Sequence, residues 1–379
     1  MIQHFYFSAP GRTEIGGNHT DHQHGCVLAA AVNLDTVADV VLNNTREIRI
    51  QSDGYPAVVI SLDNMEVHEE EKNTTAALVR GVVAAFVQRG AKVQGFDASV
   101  HSTVLPGSGL SSSAAFEVLI GTIINELFFE NKLSAIDIAK IGQWAENVYF
   151  GKPCGLMDQM ASSVGSMVFI DFEDPAQPAV EKIDFDFAKA GYALCIIDSG
   201  ADHADLTGEY AAITRELKEL SAYFGKEYLR QIPEKTFVEA LPGLRGQVSD
   251  RSILRALHVY RENGRVLEQV AALKAGDVDT FLELVQASGR SSWMYLQNIY
   301  PAGAIDKQPI AFALALCEML LQGKGACRVH GGGFAGTVQA FVPLDMLAEF
   351  KERIEQNLGQ GSCHELTVRP QGGIRILHE

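Results

Sequence analysis

Pro106-Gly107-Ser108-Gly109-Leu110-Ser111-Ser112-Ser113 places flexible glycines and small hydroxyl side chains directly ahead of the apolar run Ala114 to Ile120, which reads as a helix. Glycine lets a backbone come close to a ligand, and a helix start offers unpaired N–H groups and the positive end of a dipole. Together they make an anion site. No Gly-Lys-Ser or Gly-Lys-Thr occurs in the chain, so this is not the common Walker-type phosphate loop. Taken alone, the segment is equally a Ser-rich turn before a buried helix.

Three further clusters carry chemistry. Ala9 to Gly25 contains Arg12, Asn18, His19, Thr20, Asp21, His22 and His24 among glycines. Arg12 offers five donors in a fixed fork suited to phosphate or carboxylate, while Asn18, His19 and Asp21 could bind the hydroxyls of a small polar ligand. A metal site built from His19, Asp21, His22 and His24 is a rival reading, although their spacing matches no recognised helix or knuckle pattern. A turn satisfied by its own side chains is another. In the third cluster, Glu146 ends a helix, Gly151, Pro153 and Gly155 force a tight connection, and Asp158 follows among Leu156, Met157 and Met160. An acid in that company is a helix N-cap or a deliberately placed group. The fourth, Val329-His330-Gly331-Gly332-Gly333-Phe334, allows close backbone approach just before a strand.

The elements that must position these residues follow from periodicity. Residues 26–42, 47–62, 96–105, 166–171 and 192–198 read as strands, and 74–89, the run up to about 129, and 134–149 as helices. Beyond residue 200 the pattern is mostly helical, at 207–222, 250–274 and 278–289, with Pro233 and Pro242-Gly243 punctuating the connection between the first two. Ile310 to Leu321 reads as a core helix. Strands return at 336–342, 363–368 and 373–377. This order describes an α+β chain in two halves, 1–190 and 191–379, rather than regular βαβα alternation.

Composition excludes several classes. A formal charge of −16, from 47 acidic against 31 basic residues, repels nucleic acid and anionic lipid, and no basic patch offsets it. No apolar stretch is long enough to span a bilayer, and the start of the chain lacks a secretory pattern. Six scattered cysteines form no Cys-x-x-Cys pair. A cytoplasmic protein with reduced thiols is expected, with no obligate protein partner.

The order Gly-Arg-(six)-His-Thr-Asp, Pro-Gly-x-Gly-Leu-Ser-Ser-Ser-Ala, Cys-Gly-x-Met-Asp-Gln and Gly-Gly-Gly-Phe resembles the GHMP small-molecule kinases, and among them the galactokinases, over nearly the whole chain. Residues 199–210 and 258–265 are similar to later segments of that family. The resemblance implies a two-domain GHMP-kinase fold with the active site in the inter-domain cleft, and ATP-dependent phosphorylation of a sugar's anomeric hydroxyl, that of galactose first. Gly107, Ser108, Gly109, Leu110, Ser111, Ser112 and Ser113 would wrap the nucleotide phosphates, with Ser113 and Glu146 holding Mg2+. Asp158 would face the C1 hydroxyl beside Arg12, orienting it and taking its proton late rather than acting as a strong general base. Asn18, His19, Thr20, Asp21 and Tyr210 would contact the sugar.

The chain departs from the family pattern at the sugar segment. Gly17-Asn18-His19-Thr20-Asp21-His22 stands where Gly-Glu-His-Thr-Asp-Tyr is usual, and Thr13-Glu14 where Val-Asn is usual. The missing Glu is the residue expected to grip the C6 hydroxyl, so a C6 carboxylate, as in galacturonate, is an alternative substrate, with nearby Glu14 acting against it. A non-catalytic sugar sensor is a second alternative, opposed by the presence of Ser111, Ser112, Ser113, Glu146 and Asp158.

Overall fold

The computed structural model describes residues 3–105, 109–201 and 206–377. Seven strands in the first half, β1 (His4–Gly16), β2 (Cys26–Leu42), β3 (Glu47–Ser52), β4 (Val58–Ser61), β5 (Phe96–Ser102), β6 (Met167–Asp171) and β7 (Ala179–Ile183), build one sheet. A second sheet orders as β11-β8-β10-β9, where β8 is Tyr192–Asp198, β9 Ala326–Val329, β10 Thr337–Pro343 and β11 Cys363–Leu366. The last strand, β12 (Ile374–Ile376), crosses back to the first sheet and pairs antiparallel with β1. The chain passes from the first sheet to the second between Ile183 and Tyr192, and its last strand returns to the first.

β2 is the spine. It pairs with β1 along nearly its whole length, with β5 through Thr36 to Leu42, and with β6 through Cys26 to Ala30. The β1–β2 register shifts between Pro10 and Arg12 and again between Glu14 and Gly16. Such irregularities re-aim side chains, and these two bracket Arg12 and Glu14.

Helices α1 (Thr75–Gln88), α2 (Ser112–Phe128) and α3 (Ala135–Ala145) cover one face of the first sheet around Phe7, Phe86, Phe96 and Ile123, while α4 (Met157–Val164) packs beside them on β1 and β2. Helices α5 (Thr207–Tyr223), α6 (Glu234–Leu244) and α7 (Asp250–Ala275) share a separate core, and α8 (Val278–Ser291) lies against α7. Helices α9 (Pro309–Leu321) and α10 (Leu347–Leu358) cover the second sheet. A core of Ile15, Leu28, Leu194, Phe281 and Phe341 joins the two sheets through α7 and α8. The two sheets are thus joined by buried apolar surface.

Several expectations are corrected. The stretch 47–62 is a hairpin of two short strands, not one. The segment carrying Pro242-Gly243 is helical, with Pro242 in the last turn of α6. Arg12 lies within a 13-residue strand rather than a polar turn. That strand was hidden because Pro10, Gly11, Gly16 and Gly17 mask its alternation. In the acidic stretch at 66–72, Glu71 accepts 2.8 Å and 2.6 Å bonds from the buried Arg80.

The returning tail is held at Gly372. A Cβ there would overlap the backbone carbonyl of Ser163 in α4, which cannot withdraw as a flexible side chain could. Gly372→Ala is expected to lower stability by about 1–3 kcal/mol, read as a reduced urea midpoint. Gly264→Ala, on an exposed face of α7 with open space around it, is expected to raise stability by up to about 1 kcal/mol through helix propensity.

Candidate active site

Arg12 emerges from β1 with its backbone N–H on the carbonyl of Leu110 at 3.0 Å. Its guanidinium reaches Asp158 Oδ1 from Nε at 2.7 Å and from Nη2 at 2.6 Å, and Nη1 donates to the carbonyl of Gly109. Asp158 is not an N-cap. It sits in the first turn of α4, and its second oxygen accepts from Ser111 Oγ at 2.6 Å. Ser111 adopts a left-handed conformation with φ 57° as the N-cap of α2, and its hydroxyl bonds Asp158 instead of capping the helix. Ser112 and Ser113 are part-exposed in the first turn, where no side chain caps the helix N–H groups. Leu110 is a core residue whose carbonyl is spent on Arg12. Gly107 and Ser108 lie outside the described residues.

Asp21 stands close enough to Arg12 and Asp158 to feel both charges. Burial pushes its carboxyl up to about 6; the backbone N–H of His22 opposes the shift, whereas the charge of Asp158 adds to it. A Cβ on Gly155 would overlap Asp21 Oδ2, so Gly155 is what admits this carboxylate.

The other residues of the segment are placed differently from expectation. Asn18 is fully buried and all four of its hydrogen-bonding sites are used. Its amide donates to Gly331 O at 2.6 Å and Glu14 Oε1 at 3.2 Å, and its oxygen accepts from Asn298 Nδ2 at 2.9 Å and Ser292 Oγ at 3.3 Å. Thr20 is buried too, its hydroxyl lying 2.8 Å from Gly17 O and 2.6 Å from Cys26 O, which closes the turn. Both side chains are fully buried, and a sugar hydroxyl could bond Asn18 only by displacing one of its four partners. His19 uses both ring nitrogens, on Gly332 O and His22, and Tyr210 donates to Gly333 O at 2.8 Å. His24 does not join them; it stacks on Tyr228 at 3.8 Å.

Beneath the segment lies a buried polar layer that sequence reading missed. Arg328 is fully buried in β9, paired with Glu14 and 3.1 Å from Ser288 Oγ. Glu262 of α7 accepts the backbone N–H of Gly17 at 3.2 Å and of Asn18 at 3.4 Å, and His258 Nε2 donates to Asn18 O at 2.9 Å. Burial alone would raise Glu262, but His258, Arg265, Arg328 and the Ser288 hydroxyl together pull it below the usual carboxylate range. A charge inside the short strand Ala326-Cys327-Arg328-Val329 was the available signal, since a buried arginine demands a partner.

On the other side of Asp158, Gln159 Nε2 donates to Glu146 Oε2 at 2.9 Å and Glu117 Oε2 at 3.0 Å. Burial, then the charge of Glu146, pushes Glu117 well above the usual range, and its Oε1 has no hydrogen-bond partner among the described residues. Glu146 opens a π-helical turn that ends α3, and Lys152, largely exposed, approaches its Oε1 at 3.4 Å.

Residues 2–40 match the family model described as the galactokinase galactose-binding signature, and residues 77–166 match the GHMP kinase N-terminal domain. A galactokinase of Glaesserella parasuis is 31% identical over 370 residues, covering 94% of this chain and 91% of that one. A galactokinase of Actinobacillus pleuropneumoniae is 31% identical over 353 residues, covering 92% and 88%. The chain belongs to the galactokinase family of GHMP kinases. The fold agrees: the crystal structure of Lactococcus lactis galactokinase complexed with galactose superposes with TM-score 0.82 at 24% identity over 99% of this chain and 95% of that one. A mevalonate kinase superposes with TM-score 0.68 at 13% identity over 97% and 99%. Among galactokinases, the position of Asn18 is thus filled here by a residue committed to the protein's own interior.

The elevated Asp21 sets a pH dependence of stability. With its folded value near 6 and an unfolded value near 3.8, the folded state binds the proton more tightly, so stability falls as pH rises through that window. Asp21→Asn is expected to raise Tm at pH 8, with the gain disappearing at pH 4, as differential scanning fluorimetry at both values would show.

Proposed function

We propose that this chain transfers the γ-phosphoryl group of ATP to the anomeric hydroxyl of galactose, giving galactose 1-phosphate and ADP. The carrying observation is the convergence of Arg12, Asp158 and Ser111, drawn from three distant stretches of chain, at the N-terminus of α2. The roles of individual residues are part of the proposal. Asp158, held on both oxygens by Arg12 and Ser111, aims the C1 hydroxyl. That oxygen bonds to the γ-phosphorus as the bond to the β-phosphate oxygen breaks, and its proton passes late to Asp158. Phosphoryl transfer proceeds through a loose transition state, so positioning and charge neutralisation matter more than a strong base. Arg12 supplies fixed positive charge beside the moving group. Ser112, Ser113 and the N–H groups of the α2 start, with Gly109 and the unplaced Gly107 and Ser108, cradle the nucleotide phosphates.

Asp21 is the sugar-binding group the geometry favours. An ionised carboxylate accepts hydroxyl donors more strongly than a neutral acid. Sugar affinity should therefore weaken as pH falls below about 6, where Asp21 takes up a proton. His19 and Tyr210 shape the wall behind it.

The residues present fit Mg2+. Glu146 and Glu117 sit close enough to share one amide donor, and the exposed Lys152 approaches Glu146's other oxygen at 3.4 Å, an arrangement of two neighbouring carboxylates that a divalent cation would relieve. Glu146 and Ser113 would hold the ion, which when bound neutralises charge on the nucleotide phosphates.

Two alternatives are not favoured. The galacturonate reading needed Asn18 free to meet a C6 group, and Asn18 has no free site. The sensor reading needed an incomplete site, whereas Ser111, Ser112, Ser113, Glu146 and Asp158 are all present. The proposal also fits a cytoplasmic enzyme with reduced thiols; all six cysteines are free.

An ADP-release assay over a panel of hexoses and hexuronates tests the function, with galactose expected to give the highest kcat/KM and galacturonate little turnover. Asp158→Asn should lower kcat at least about a hundredfold, with ATP affinity by calorimetry close to that of the parent. Near-normal turnover by that variant would refute its role.

A further inference from the structure

His22 is a residue no motif explains, and in this family its position usually holds Tyr. Its surroundings fix the position of every ring hydrogen nearby. His19 Nε2 lies 3.0 Å from the carbonyl oxygen of Gly332, and a carbonyl can only accept, so the hydrogen of His19 is on Nε2. Nδ1 of His19 is then a lone pair. The atom facing it at 3.2 Å is His22 Nε2, which must donate. That leaves His22 Nδ1 as a lone pair in turn, and Gln23 Nε2 meets it at 3.2 Å. The oxygen of Gln23 is committed elsewhere, accepting the backbone N–H of Leu229 at 3.2 Å, so the amide cannot turn over without losing a buried bond. The rings meet edge-on, with centroids 5.4 Å apart at 69°. The backbone N–H of His22 is the one that serves Asp21.

We propose that His22 is a positioning residue for the sugar site, holding His19 as the neutral Nε2–H tautomer and, through it, the Gly332 carbonyl and the wall that carries Tyr210. The relay runs one way only: Gln23 amide to His22, His22 to His19, His19 to Gly332. A second proton on either ring would set hydrogen against hydrogen. Both rings are correspondingly pushed down by burial, His22 to about 3, and each further lowers or is lowered by charged neighbours. The groups facing His19 are Glu14, His258 and Arg255 beside the Gly332 carbonyl; those facing His22 are His19 and Lys218. Asp21 bonds its backbone. Among the charged neighbours only Glu14 favours a charged ring, and Glu14 is already paired with Arg328; the Gly332 carbonyl and the backbone of His22 itself also favour charge, but burial is the larger influence on both rings and favours their neutral forms. Tyr in the usual family position has a hydroxyl that could donate to His19 in the same sense, whereas a residue without a donor would not.

The inference rests on the galactose reading for its kinetic arm but not for its spectroscopic one. Nitrogen-15 chemical shifts of the histidine rings in the full-length chain, assigned by replacing one histidine at a time, should show His19 and His22 both as Nε2–H forms from pH 5.5 to 8.5. A hydrogen on Nδ1 of either ring overturns the relay. His22→Phe should let His19 titrate, move the acid limb that Asp21 already gives the pH profile of galactose kcat/KM to higher pH, and raise the galactose KM about tenfold, as loss of one ordered hydrogen bond would, while kcat changes less. His22→Gln, whose amide can donate to His19, should restore KM and profile. An unchanged profile in His22→Phe, or no rescue in His22→Gln, overturns the positioning role. Absence of galactose phosphorylation by the parent chain would instead sink the proposed function, and the ring shifts alone would then decide the relay.

Discussion

A guanidinium that leaves a buried strand must find negative charge before it finds solvent, and Arg12 finds Asp158 from more than a hundred residues further along the chain. Much of the surrounding structure follows from that requirement. Asp158 must sit on a helix that starts beside β1, so the chain between Glu146 and Met157 has to turn sharply, through a π-helical turn and a glycine-rich connection. The carbonyls of Gly109 and Leu110, just ahead of α2, are bound by Arg12 itself, one from the side chain and one from the main chain. Loop, strand and helix are therefore a single mechanical unit. An isolated buried ion pair adds little stability, and this one is retained because it places three groups at one point.

The same logic repeats one layer down. The segment from Gly17 to Asp21 carries polar side chains that would be costly to bury without partners. Helix α7 supplies them: Glu262 takes two backbone N–H groups and His258 gives a hydrogen to Asn18. Arg328 of the second sheet then balances Glu14. Because this layer draws on both sheets and on α7, the two sheets meet through buried hydrogen bonds as well as through the shared apolar core. Asp21 is the exception. Burial outweighs the His22 backbone N–H and the charge of Arg12 that oppose it, so its carboxylate carries a stability cost above pH 6.

Periodicity made most elements legible. The limits of β2 and β8 and the apolar faces of α1, α7 and α9 follow directly from residue spacing, because each buries a regular stripe. Motif order singled out Arg12, Ser111 and Asp158, each in a cluster that carries glycines, and the structure brings these three side chains together. What escaped was long-range partnership. Nothing local says that Arg328 pairs with Glu14 across the sheets, that Gln159 bridges two glutamates, or that the three glycines after His330 approach side chains rather than a ligand. Gly331, Gly332 and Gly333 each present a carbonyl to a side chain, from Asn18, His19 and Tyr210. A glycine run marks close approach and is silent about what approaches.

The exchange at positions 14 and 18 shows how that silence misleads. Against the usual family pattern of Asn then Glu, this chain has Glu14 then Asn18, and read one position at a time Asn18 looks like a loss of charge toward the sugar. The structure brings the two side chains within 3.2 Å of each other, so the pair keeps one carboxylate and one amide and has only traded their places. The carboxylate now faces Arg328, and the amide takes Gly331, Asn298 and Ser292. Returning a Glu to position 18 alone would bring two carboxylates together in a buried layer with a single arginine between them, whereas the paired exchange conserves charge. Positions 14 and 18 have to be read as one unit, and their chemistry concerns how the floor of the site is neutralised before it concerns which sugar lies above it.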